Sequence, residues 1–344
     1  MEYKVVSNIK QFALLKKNWN MVFNSRPYSV FQSFTFNYYS WKYILDNSSK
    51  NKLYIVQILE DGFPIGFFPL YIDNKNKLRF INDIHSDFCD IILSKDIDFS
   101  DLFKFILYDC KNKVIQLINL KEDSLIVNFS FANNSSNLRV SSFEKYTELK
   151  VERGIFPENC RNLLCKERSE IRRIVKKNQD CNHVIIDKSL ALFPRSEILE
   201  LKERMIKNGD RRDDFLPISQ LNLIEMLYNN NQLEISLTRD SKIRAILFVL
   251  INSQNLLLWI DLYDRNSYTS TLYNYISYIG VKSLGVDICV NFGRGAYKWK
   301  LAKFRPEILD LYSVNIFSNK FSYLVNATTS YILMIFKLIY RKIK

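Results

Sequence analysis

The stretch LEISLTRDSKIRAILFVLINSQNLLLWIDLYD, from Leu233 to Asp264, constrains the fold more than any other part of this chain. Three apolar runs are separated by Asp240-Ser241 and Asn252-Ser253, residue pairs that favour turns, so the stretch reads as three strands in a meander. SYTSTLYNYISYIGVKSLG, Ser267 to Gly285, follows as a helix that stops at a glycine, and VDICVNF adds one more strand. A meander, then a helix, then a further strand predicts an α/β chain of the α+β type, a mixed sheet with helices on its faces.

The rest of the chain carries similar signals. KVV (Lys4 to Val6) reads as a strand, and Gln11 to Phe23 has apolar residues at helical spacing. VFQSFTFNYYSWKYIL, Val30 to Leu45, reads as a buried aromatic turn leading into a helix. LYIVQILEDGFPIGFFPLYI is a predicted hairpin about Asp61-Gly62. Leu78 to Ile81 and Val114 to Asn119 are strand-like and flank a helix-like segment, Phe99 to Lys111. LLCKERSEIRRIVKK (Leu163 to Lys177) and SEILELKERMIKNG (Ser196 to Gly209) read as helices, the second bounded by Ser and Gly.

With 344 residues, 47% of them hydrophobic, the expected division is two domains, 1–150 and 151–315, followed by a basic amphipathic segment, 316–344. The six cysteines form neither a CxxC pair nor a disulfide-type framework. Together with an amino terminus that lacks a secretory pattern, this predicts a cytoplasmic protein. The net charge of +13 attracts anions, with nucleic acid, CoA phosphates and an anionic membrane surface as candidates. His85 and His183 have no Cys or His at metal-ligand spacing, so no metal is expected, and no G-x-S-x-G elbow offers a serine nucleophile.

Several residues are candidates for chemistry. In NFGRGAYKWK, Gly293 and Gly295 flank Arg294 after a strand, which allows a sharp turn, while Arg294 and Lys300 offer cations to a phosphate or carboxylate. A strand-to-helix turn with solvated cations is the competing reading. Tyr268, Thr269 and Ser270 open the helix after LLLWIDLY, where free N–H groups bind anions or are simply capped. For proton transfer the candidates are Asp264 and Asp287, with Asp261 beside them, as bases, and Tyr297 or Tyr263 as an acid. In KERSEIRRIVKK both charge signs alternate, which marks a solvated ion-paired face or else a surface for an acidic substrate or tRNA.

Taken together, KERSEIRR, IRAILFVL and NFGRGAYKWKLAKF resemble the acetyltransferase domain of CelD-like proteins from bacterial polysaccharide gene clusters. That family is a branch of the GNAT superfamily related to the Fem-type transferases. VFQSFTFNYYSW and SDFCDIIL are similar to its first-half segments. The family's D-F-x-x-G-x-x-x-Y-K pattern is met by Asn291, Phe292, Gly293, Arg294, Gly295, Trp299 and Lys300, with Asn291 in place of the Asp and Trp299 in place of the Tyr. An amide cannot act as a base, so the resemblance requires another residue for that role.

The resemblance implies tandem GNAT-like domains, the second more complete, with the CoA pyrophosphate at the helix start near Tyr268, Thr269 and Ser270. It implies an acyl-CoA-dependent N- or O-acyltransferase, with acetyl-CoA as co-substrate and a sugar or sugar-nucleotide as the small-molecule acceptor. Aminoacyl-tRNA-dependent transfer of the Fem type and a non-catalytic scaffold are the alternatives. Finally, FSYLVNATTSYILMIF is a poor membrane span, but FKLIYRKIK has a basic amphipathic pattern. It reads either as a peripheral anchor on anionic membrane, at the inner face of the cell membrane, or as a docked terminal helix.

Overall fold

The computed structural model describes residues 1–46, 48–110, 113–133, 137–186, 188, 191–264 and 268–317, with backbone alone at 268–270. The expected carboxyl-terminal amphipathic segment, 316–344, therefore lies outside the described residues from 318 onward.

The chain begins with β1 (Glu2–Val6), α1 (Ile9–Leu14) and α2 (Lys16–Phe23). The single predicted helix at Gln11 to Phe23 is thus two, interrupted at Leu15. A 3-10 turn (Val30–Gln32) with a Ser29/Gln32 capping box then leads into α3 (Phe34–Ser40), and a π-turn (Trp41–Leu45) ends the aromatic segment. β2 (Lys52–Glu60) and β3 (Phe63–Ile72) form the expected hairpin. Asp61 and Gly62 both have positive φ, 51° and 82°, as a two-residue turn of this hand requires. Next come β4 (Lys77–Phe80), β5 (Ile92–Leu93), α4 (Phe99–Asp109), β6 (Val114–Lys121), α5 (Leu125–Ala132) and β7 (Leu138–Val151).

The second half has α6 (Cys165–Lys177), β8 (Asn182–Ile185), α7 (Arg195–Lys207) and α8 (Ile218–Asn229). The predicted meander follows as β9 (Leu233–Arg239), β10 (Ile243–Asn252) and β11 (Asn255–Tyr263). Then come α9 (Tyr268–Ser283), β12 (Ile288–Arg294), α10 (Lys298–Phe304) and β13 (Glu307–Ile316).

Two compact units result, and neither is contiguous. Unit 1 comprises Met1–Arg26, Ser48–Phe143 and the chain from Leu311; unit 2 comprises Pro27–Asn47 and Glu144–Asp310. The expected boundary at residue 150 is a single cut, whereas the chain crosses between the units near residues 26, 47, 143 and 310. Pro27–Asn47 belongs to unit 2 because its aromatic residues are buried there: Phe31 and Phe36 set their edges against Trp259 at centroid distances of 5.9 and 6.3 Å.

Within unit 1 the strand order is β1-β2-β3-β4-β6-β13, with β5 on β3. Its core joins β2, β3, β4 and β6 to α4 through Val56, Phe68, Phe80, Phe103, Ile106 and Leu117. Within unit 2 the order is β7-β12-β11-β10-β9-β8, and its core packs α6 and α9 through Ile171, Tyr278 and Ile279 onto Leu149, Val249 and Val290. Among the described residues each unit contains a parallel pair joined through a helix, β4–α4–β6 in unit 1 and β11–α9–β12 in unit 2. The expected mixed sheet with helices on its faces is present.

Candidate functional site

The parallel pair of unit 2 opens. β11 and β12 are paired from Asn255↔Cys289 to Leu257↔Asn291 and no further, although β11 continues to Tyr263 and β12 to Arg294. Two bulges separate them. Against β10, Val249 faces Leu258 and Phe248 faces Ile260, so Trp259 is the extra residue in β11. Against β7, Asn291 faces Glu148 and Arg294 faces Tyr146, which leaves Phe292 and Gly293 opposite one residue. Bulges bend a strand and raise its twist. Here both fall where the pairing stops, and they leave a strand edge facing a gap at the carboxyl ends of β11 and β12.

Asp261 lies on β11 beyond the opening, with a side-chain exposure of 29%. Burial raises its pKa, while the positive charges of Arg211 and Lys300 offset part of that rise. Arg211, from the loop after α7, sits 3.9 Å from the Asp261 carboxylate and lies over the rings of Phe215 and Tyr263 at 5.0 and 5.8 Å. Tyr275, buried on α9, is raised well above the usual phenol value by desolvation and by the Asp261 charge, so it stays protonated. Its ring packs on Trp299 at 5.6 Å. A carboxylate that holds its proton unusually well, a neutral phenol and two cations thus meet beside the open edge.

The glycine motif closes the other side of the gap. Gly293 (φ 70°) donates its N–H to Asn291 Oδ1 at 2.8 Å, and the Asn291 amide reaches Glu148 at 3.4 Å. Asn291 therefore shapes the turn. Lys300 differs from its expected role as an open cation for a cofactor. It is 4% exposed, and its ammonium donates to the carbonyls of Phe292, Arg294 and Gly295 at 2.5, 3.2 and 3.1 Å. Its charge is fixed inside the turn, where Tyr297 also lies beneath it at 4.9 Å. Tyr297 itself is 59% exposed and caps α10. Arg294 is half-buried at the end of β12.

The other expected residues are dispersed. Asp264 is 4% exposed and neutralised by Lys242 and Arg244 at 3.4 and 3.5 Å. Asp287 precedes β12 and is exposed, accepting the Arg153 N–H at 2.7 Å. The seven residues of β12 put it roughly 20 Å from the open end, too far to share a proton with Asp261. Tyr268, Thr269 and Ser270 form the backbone of the first turn of α9, and their side chains lie outside the description. On α6, Arg172 pairs with Glu158 at 3.0 Å. Glu170, bound by Arg173 at 2.7 Å and Lys303 at 2.8 Å, is held down at about 2. Among the described residues no three His, Cys, Asp or Glu gather as a metal site, and no helix is long and apolar enough to cross a membrane.

No protein-family model matches the chain, and no curated protein matches it in sequence. Solved structures do. One is the C-terminal domain of a proposed lysylphosphatidylglycerol synthetase from Agrobacterium fabrum, with a TM-score of 0.60 at 10% identity over 94% of this chain and 97% of that one. FemX matches with a TM-score of 0.60 at 11% identity over 94% of this chain and all of the other. A tandem GNAT protein of the clavulanic acid pathway matches at 0.52 and 7% identity, over 92% and 99%. At such identities the likeness is one of fold. It does not single out the CelD-like branch that the sequence resembles. The opened parallel pair of unit 2, set in a mixed sheet with α9 across it, belongs to a chain that shares its fold with a tandem GNAT protein and with FemX.

Proposed function

We propose that the protein is an acyltransferase whose chemistry takes place in unit 2, at the gap between β11 and β12. The carrying observation is Asp261, a carboxylate of raised pKa placed beside an unpaired strand edge. An activated acyl group laid along that edge presents its carbonyl to backbone donors, which stabilise the oxyanion of the tetrahedral intermediate. An amine or hydroxyl attacks that carbonyl and Asp261 takes the proton. The new C–N or C–O bond forms as the bond to the leaving thiolate or alkoxide breaks, and the leaving group takes a proton from solvent or from the conjugate acid of Asp261. Tyr275, held neutral, adds no competing charge beside the carboxylate.

The donor in this reading is an acyl-CoA, with acetyl-CoA the simplest, and its phosphates are met by the first-turn N–H groups of α9. The acceptor is a sugar or sugar-nucleotide, as the CelD-like resemblance implies. Work at the inner face of the cell membrane, through the basic segment after residue 316, belongs to the same proposal. A second reading, aminoacyl-tRNA as donor, is favoured by the likeness to FemX and to a lysylphosphatidylglycerol synthetase domain, and by the net charge of +13.

Calorimetric titration with acetyl-CoA and, separately, with tRNA separates the donors. Saturable acetyl-CoA binding with no steeply salt-dependent tRNA binding supports the CoA reading, and the reverse supports the tRNA reading. Binding of neither overturns acyl transfer and leaves the scaffold alternative.

A further inference from the structure

The loop after α7 forms a cleft that the acyl-transfer chemistry does not itself require. α7 ends in a glycine-terminated motif, with Gly209 (φ 73°) donating to the Ile206 carbonyl and Asp210 to that of Met205, at 2.9 Å each. This satisfies the last carbonyls of the helix and turns the chain outward. The loop that results borders an open cleft of about 440 Å³ lined by Gly209, Asp210, Arg211, Arg212, Asp214 and Phe215, a volume in the range of small-molecule sites.

The lining has a particular chemistry. Two successive guanidinium groups offer more donors than a carboxylate's two oxygens can accept, but they match the several oxygens of a phosphate. The Nε of Arg211 is buried without a hydrogen-bond partner among the described residues, and Arg212 lies 3.7 Å from the Asp214 carboxylate. Asp210 and Asp214 would repel a bare phosphate, yet carboxylates are good acceptors for hydroxyls. Phe215 offers an aromatic face, with Arg211 over it at 5.0 Å. Guanidinium, carboxylate and aromatic groups in one small cleft fit a phosphate attached to a polyhydroxylated ring.

We propose that the Gly209–Phe215 cleft is the acceptor subsite and that it takes a sugar phosphate, with Arg211 and Arg212 on the phosphate and Asp210 and Asp214 on the sugar hydroxyls. The assignment rests on the acyl-transfer reading of the neighbouring gap. Arg211 joins the two, since the side chain that lines the cleft also lies 3.9 Å from Asp261. A hydroxyl or amine of a sugar held there is brought to the base that must deprotonate it. On phosphate binding Arg211 is drawn toward the new anion and away from Asp261, which leaves the carboxylate a stronger proton acceptor.

The test is binding of α-D-glucose 1-phosphate, glucose and inorganic phosphate to the full chain, followed by calorimetry or ³¹P line broadening without any acyl donor. Glucose 1-phosphate is expected to bind at least about tenfold more tightly than either part alone. Arg211→Met and Arg212→Met should each weaken it about tenfold or more. Arg212 is 89% exposed, so its replacement reports on the ligand without risk to the fold. No difference between glucose 1-phosphate and inorganic phosphate, or unchanged binding in both variants, overturns the subsite. The reading it rests on fails separately: sugar-phosphate binding that depends on Arg211 and Arg212 but with no acetyl-CoA binding leaves the cleft intact and removes the acyl-CoA donor.

Discussion

The Lys300 ammonium donates to the Gly295 carbonyl at 3.1 Å, and so the turn after β12 is tied by a residue only five positions further on. Because Phe292 and Arg294 share the same ammonium, Lys300→Met would leave three carbonyls, two of them buried, short of a donor. The expected loss of stability is about 2–4 kcal/mol. Urea denaturation measures it, and a loss within experimental error would return Lys300 to the role of a ligand-binding cation.

Asp261→Asn should have the opposite profile. Activity is expected to fall about 10²- to 10⁴-fold, the usual worth of a positioned base. Stability at neutral pH should hold or rise, because burial disfavours the ionised carboxylate and the amide removes that penalty. Full activity in the folded variant would move the base elsewhere.

Two groups give opposed pH slopes. Asp90 in unit 1 is pushed up to about 7 by burial, despite hydrogen bonds from Ile91 and Ser124. The native state keeps a proton that the unfolded chain releases near its ordinary value of 3.8, so stability falls as pH rises from about 4 to 7. His183, lowered to about 4 by burial beside Ser236 Oγ at 2.8 Å, behaves in the reverse sense. The unfolded state binds the proton first, and stability is lost as pH falls from about 6.5 to 4. Because the two windows overlap and the effects offset, thermal melts across pH 4 to 8 should show Asp90→Asn leaving a net rise of stability with pH below about 6.5 and His183→Gln a net fall. Identical profiles for all three proteins would show that neither group is linked to folding.

Gly66 on β3 is a packing constraint. A Cβ there would meet Leu93 Cδ2 at 2.4 Å and the Ile92 carbonyl oxygen at 2.9 Å, across the β3–β5 pairing. Gly66→Ala is expected to cost about 1–3 kcal/mol by forcing β5 away. Hydrogen exchange at Ile92 and Leu93 should rise in that variant; unchanged protection there would mean the strand can shift without loss.

Local chemistry made much of this fold legible. The Asp61-Gly62 turn, the meander from Leu233 to Tyr263, α4, α6 and α7 follow from turn residues and periodicity, which act over a few positions. β7 and β13 are not legible in the sequence, because LRVSSFEKYTELKV and EILDLYSVNI carry too many polar residues for a clean alternation. α8 was missed for want of a start signal stronger than Pro217. At the site, Asp261 could be named from its place at a strand end. Arg211 and Tyr275 could not, since only tertiary packing brings a loop after α7 and a helix face to that carboxylate. Lys300 looked like an open cation because sequence spacing does not reveal burial.

The crossing of the chain between units near residues 26, 47, 143 and 310 has a consequence for biosynthesis. A ribosome releases chains from the amino end, and ordinary tandem domains fold in that order. Here the first unit lacks its last strand segment until Leu311–Ile316 emerges, after the whole of the second has been made. Residues Pro27–Asn47 wait still longer in relative terms, since their aromatic side chains gain Trp259 only some two hundred positions later. The second unit is therefore expected to fold first, and nascent chains stalled once Asp310 has emerged but before Leu311 should be protease-sensitive in the first unit alone.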